Sequence, residues 1–188
     1  MKNFKPGLVH TPVTPFHRDQ SIDFDTYAKI IEFHLRNGAE ALALPMPEGE
    51  DLSLTDEEQR KLLEFAIRQV KDRVPVIAHV SDAGTAIAVA RARHAESAGA
   101  AAIVSHPPYF WHPKPAMIVE HLVEIGSAVR LPFLICNRSS VIGGNPPGIV
   151  STRVLPPDSR MVLLVSSSPS PAPMRVTAST GVKPTWRR

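Results

Sequence analysis

With a single cysteine in 188 residues, Cys136, the chain has no internal disulfide framework, and a reducing cytoplasmic location is expected. It has no apolar run near the roughly 20 residues that a membrane-spanning helix needs. Its first residues, MKNFKPGLVHTPVTPF, offer prolines but no small-residue cleavage site, so no secretory signal is expected. Acid is what the chain's end lacks. Residues 138–188 hold one acidic residue, Asp158, against seven Lys and Arg, a net of +6. Residues 1–137 hold 14 basic and 17 acidic residues, a net of −3. The sequence pI near 9.2 therefore comes from the end alone. That end has no Phe or Tyr, and its basic residues are scattered without aromatic interleaving, so nucleic-acid binding is not expected.

From Gly7 to Asn137 short apolar runs alternate with helical patterns. Gly7–His10 with Thr11-Pro12-Val13 gives a first short strand ending in turn chemistry. SIDFDTYAKIIEFHLRNG spaces Phe24, Tyr27, Ile30, Ile31, His34 and Leu35 as one helical face and puts Gly38 at the C-terminal cap. Ala41–Leu44 is a second strand. A helix over about 55–70 follows, with Thr55 and Glu58 spaced as a capping box. Residues 74–80, 100–105 and 131–137 are further apolar strands, and helical patterns lie between them. Strands this apolar, in strand-then-helix units of about 30 residues, predict a parallel sheet covered on both faces. No Gly-x-Gly-x-x-Gly follows the first strand, which argues against a dinucleotide-binding sheet. A (β/α)8 barrel is the better match, incomplete at five to six units. In such a barrel the loop Pro45–Glu50 lines the mouth, where Gly49 is expected to let the backbone approach a ligand.

Several segments in order then resemble the dihydrodipicolinate synthase / N-acetylneuraminate lyase family of Schiff-base aldolases and lyases, over about residues 6–145. These are TPVTPF with its helix, PEGEDLSLTDEEQRKLLEFAI, VPVIAHVSDAGTAIAVARARHAESAGAAAIVSHPPYF, and LPFLICN. The resemblance implies a 2-keto acid substrate such as pyruvate, an imine-forming lysine, no metal or organic cofactor, and a homodimer or homotetramer.

Carried over residue by residue, the family's two loop threonines fall on Pro47 and Glu48, while Gly49 and Glu50 are kept. Glu48 would face the substrate carboxylate with a like charge. The proton-relay tyrosine falls on Cys136, followed by the retained Asn137. The tyrosine pair falls on Tyr109 and Phe110. The resemblance thus makes Pro47, Glu48, Gly49, Glu50, Tyr109 and Asn137 substrate-binding positions and Cys136 the catalytic one. The lysine position falls at about Leu164–Val165, which are apolar. Lys183 lies too far along, ahead of Pro184.

Simpler readings stand beside these. Glu48 and Glu50 also fit a solvated turn capping the next helix, and Cys136 fits a small buried hydrophobe. His106 and His112 lack a third ligand at metal spacing, so no metal is expected. His34 and His94 read as packing or surface residues, and Tyr109, Phe110 and Trp111 as a loop anchor or dimer contact. Residues 1–145 read as a partial barrel domain. Residues 146–188 read as a Pro/Ser/Arg-rich tail, disordered or frame-disrupted. The expected function is a Schiff-base lyase or aldolase whose chain is truncated and lacks its lysine. The alternative is an inactive barrel fragment that binds only a ligand or partner subunit.

Overall fold

Strand-forming runs bounded by caps and turns give an alternating α/β chain, described in a computed structural model for residues 7–108, 113–137, 161–165 and 174–175. The elements are β1 Leu8–His10, α1 Phe24–Arg36, β2 Ala41–Leu44, α2 Asp56–Val70, β3 Val76–His79 and α3 Thr85–Ala98. They continue with β4 Ala102–Ser105, α4 Pro115–Ser127, β5 Phe133–Asn137, β6 Met161–Val165 and β7 Met174–Arg175. The sheet order is β6-β5-β4-β3-β2-β1-β7. Strands β1 to β6 are parallel neighbours in chain order, which is the winding of a (β/α)8 barrel. At the other edge β7 runs antiparallel to β1, pairing Leu8 with Arg175. The result is a curled partial barrel.

Alternation along the strands sorts side chains into two layers. Leu42, Leu44, Val76, Ala78, Ile103, Phe133 and Ile135 pack outward against the helices. Ala41, Ala43, Ile77, Ala102, Val104, Leu134 and Cys136 form the inner layer with Val9 and Met46. The helices start and stop as their residues dictate. Thr55 accepts from the Glu58 amide while the Glu58 carboxylate accepts from the Thr55 amide, a complete capping box. Asp23 caps α1 by accepting from the Thr26 amide. Helix α3 presents Ala88, Ala92 and Ala95 to the sheet and ends at Gly99, whose φ of 90° suits a residue without Cβ.

The first strand stops at His10 rather than running on to Val13, because Pro12 has no amide to give a ladder. His34 and His94 pack against neighbours, in keeping with the packing or surface reading. The ring nitrogens His34 Nδ1 and His10 Nδ1 lie 3.1 Å apart, and His94 Nε2 lies 2.9 Å from Glu64 Oε1. Apart from β6 and β7, residues 146–188 lie outside the described residues, as do Tyr109, Phe110, Trp111 and His112. Among the described residues no helix is long and apolar enough to cross a membrane.

Among the described residues, the core Tyr27 carries an unbonded polar atom. Tyr27 of α1 is fully buried against Phe65, and among the described residues its hydroxyl has no hydrogen-bond partner. An unmatched buried hydroxyl costs about 1–3 kcal/mol. Tyr27→Phe is therefore expected to raise the unfolding free energy by about 1 kcal/mol, read from urea denaturation; a loss of stability would reveal a partner for the hydroxyl.

Candidate functional site

The parallel strands bring their C-terminal ends to one end of the sheet, where Thr14 meets Gly49 and where Asp51, Ser81 and His106 surround His79. The loop after β2 begins with a cis Leu44–Pro45 peptide and folds as two 3-10 turns, Pro47–Gly49 and Asp51–Ser53. Glu50 joins them in the left-handed conformation, φ 60° and ψ 40°. This reversal separates the loop's acids. Glu48 and Glu50 are exposed, whereas Asp51 is turned back and buried. The Gln59 amide holds it there by donating to the Asp51 carbonyl over 2.9 Å.

Gly49 is buried, and its missing side chain makes room for a neighbouring loop. A Cβ at this position would come within 2.9 Å of the Pro12 carbonyl oxygen. The close approach is thus made by the loop after β1, and it is fastened by the Thr14 hydroxyl donating to the Gly49 carbonyl over 2.7 Å.

Asp51 meets the end of β3. Its Oδ2 lies 3.4 Å from His79 Nδ1, and both side chains are almost fully buried. On the other side of the ring, His79 Nε2 lies 2.7 Å from Ser81 Oγ and 3.1 Å from His106 Nδ1. Ser81 Oγ accepts the His106 amide over 2.7 Å, and Ser105 Oγ donates to the His106 carbonyl over 2.9 Å. Arg91 of α3 positions this loop by donating to the Ser81 carbonyl over 2.6 Å while pairing with Asp56 and Asp82. Burial holds the His79 imidazole well below its ordinary pKa, reinforced by His106, so the ring is neutral near pH 7. Burial also raises the Asp51 carboxyl.

Cys136 is buried in the inner layer, consistent with the small-hydrophobe reading. Asn137 ends β5. The β5–β6 register sets Leu164 beside Cys136 and Val165 beside Asn137. Tyr109 lies outside the described residues. His106, singled out only as half of a metal pair, instead joins His79. Among the described residues no group of three or more His, Cys, Asp or Glu side chains is placed to hold a metal ion. The sequence reading missed Asp51, His79 and Ser81. The available signal was a polar His79 and Ser81 two apart, in phase with inward-facing Ile77.

The model of the dihydrodipicolinate synthetase family matches residues 5–145. The chain belongs to that family. It is 34% identical over 131 residues to 4-hydroxy-tetrahydrodipicolinate synthase of Bartonella bacilliformis, which covers 70% of this chain and 45% of that protein. A putative dihydrodipicolinate synthetase structure from Pseudomonas aeruginosa aligns with a TM-score of 0.73 at 31% identity, over 76% of this chain and 49% of the other. A family prophage protein of Escherichia coli K12, solved in complex with pyruvate, aligns at 0.72 and 27% identity, over 74% of this chain and 47% of the other. The chain spans about half the length of the curated relatives it matches.

Proposed function

We propose that the mouth of this partial barrel holds a 2-keto acid such as pyruvate, and that the chain as written binds it without forming an imine. Pro47, Glu48, Gly49, Glu50, Tyr109 and Asn137 are the binding positions of this reading, and Cys136 occupies the place of the family's proton-relay tyrosine. The observation that carries the second half is the β5–β6 register. Leu164 and Val165 stand beside Cys136 and Asn137, and neither can supply an amine. The pyruvate-bound relative supports the substrate class. The intact reaction of the reading is aldol addition, cleavage or dehydration of a 2-keto acid, in a homodimer or homotetramer, with acid–base help at the mouth. Saturation-transfer NMR with pyruvate, and acetate as the control, tests the binding half. Transfer to the pyruvate methyl that pyruvate-sized anions compete away is expected; no transfer at millimolar pyruvate would refute it.

A further inference from the structure

The end of α1 carries the chain's one Asn-Gly pair, Asn37–Gly38. In such a pair the amide nitrogen of the second residue can attack the asparagine side chain, and glycine puts no side chain in the way. Of the other asparagines, Asn3 precedes Phe4 and Asn137 precedes Arg138, each with a bulky side chain beside the attacking nitrogen. Asn145 precedes Pro146, whose nitrogen has no hydrogen to lose. Asn37 and Gly38 are both exposed. Gly38 has a φ of 83°, and among the described residues nothing lies within 4 Å of the place its Cβ would take, so the pair is open to water.

The folded turn holds this chemistry back. Asn37 is the C-cap of α1, with φ −100° and ψ 27°. That ψ turns the Gly38 nitrogen away from Asn37 Cβ, whereas a cyclic imide needs the nitrogen on the Cβ side, within bonding reach of Cγ. The side chain is also engaged, with Asn37 Nδ2 donating to the Phe33 carbonyl over 2.7 Å. Freeing the side chain breaks that bond. Turning ψ swings Gly38 and Ala39 together and breaks the 3.1 Å bond from the Ala39 amide to the His34 carbonyl. The Asn37 amide keeps its own bonds to the Phe33 and His34 carbonyls. The reactive geometry therefore needs only the last turn to open, which is the fraying that helix ends undergo first.

We propose that Asn37 is a site of spontaneous deamidation whose rate is set by opening of the last turn of α1. In the first step the Gly38 nitrogen bonds to Asn37 Cγ and gives up its proton to solvent. The Cγ–Nδ2 bond breaks, and the amide nitrogen takes a proton from solvent and leaves as ammonia. Water then opens the cyclic imide at one carbonyl or the other, giving aspartate or isoaspartate. Neither product can rebuild the cap. A carboxylate has no hydrogen to donate to the Phe33 carbonyl, and its charge opposes the helix dipole at the C-terminal end. Isoaspartate also lengthens the backbone between α1 and β2, next to the bond from the Glu40 amide to the Leu8 carbonyl. Conversion thus loosens the junction of α1 with the sheet.

The test is incubation of the full chain in mildly alkaline buffer, with and without urea, followed by peptide mass spectrometry that separates aspartate from isoaspartate. In buffer, Asn37 is expected to convert before Asn3 and Asn137, and both products should form. In urea its rate should rise on the order of 10-fold, the effect of releasing two hydrogen bonds of ordinary net strength. Gly38→Ala should slow the reaction in urea, where the comparison does not depend on how the variant folds. Three results would overturn the proposal: equal Asn37 rates in buffer and urea, another asparagine converting first in buffer, or Asn37 left intact in buffer after full conversion in urea. Aspartate as the sole product, or no slowing in Gly38→Ala, would mean direct hydrolysis of the side chain and would overturn it as well.

Discussion

His79→Leu is expected to lower the unfolding free energy by about 3 kcal/mol. Leucine fills most of the imidazole volume, so the loss comes from hydrogen bonds rather than from a cavity. It strips the buried Asp51 carboxyl of its ring partner and the Ser81 hydroxyl of its acceptor. Each buried polar group left unmatched costs about 1–3 kcal/mol, more when charged. The pH dependence carries the sign. The folded-state pKa of His79 is depressed, so the unfolded chain binds the proton more readily than the folded one. Its contribution is fully present above the unfolded value of about 6.5 and is lost as pH falls below it. Wild type should therefore lose stability between about pH 7 and 5, and His79→Leu should lose less over that window. Urea denaturation at several pH values measures both. Equal slopes in the two proteins would show that His79 is not held neutral by its surroundings.

The second large effect concerns reconstruction. A variant with Cys136→Tyr and Leu164→Lys is expected to consume no pyruvate above background. Position 164 is chosen because it is the register partner of Cys136. Three obstacles remain in that variant. Cys136 is only 1% exposed within the inner layer that includes Ala43, Met46, Val104 and Leu134, and a phenol there overpacks the barrel at a cost of about 1–3 kcal/mol. Pro47 supplies neither an amide nor a hydroxyl to a substrate carboxylate. Glu48 supplies no hydroxyl either. Its charge is the lesser difficulty, since the side chain is exposed and water screens it to about 1 kcal/mol or less. Adding Pro47→Thr and Glu48→Thr is expected to improve pyruvate binding first. Substantial turnover with Pro47 and Glu48 retained would mean that this loop serves a less anionic substrate.

Much of the fold was legible because its signals are local. Apolar runs such as Ala41–Leu44 and Ile103–Val104 are buried on both sheet faces, so strand and parallel pairing could be read together. Thr55 with Glu58, and Gly99 after α3, mark helix ends by hydrogen bonds made within a few residues. The site was less legible because its contacts are not local. Asp51 follows β2, His79 ends β3 and His106 follows β4, and only the sheet brings them together. Adjacency drew attention to Glu48 and Glu50, but the left-handed backbone at Glu50 decides that Asp51 turns inward. Gly49 was correctly marked as a close approach, yet the approaching group is the Pro12 carbonyl, which no local pattern announces.

The central claim is that this member of the family lacks an amine where the imine would form. Borohydride reduction in the presence of pyruvate, followed by intact-mass and peptide mass spectrometry, tests it most directly. The account predicts an unmodified chain, with all lysines recovered free of the pyruvate-derived mass. Stoichiometric addition of that mass to any one lysine would contradict it.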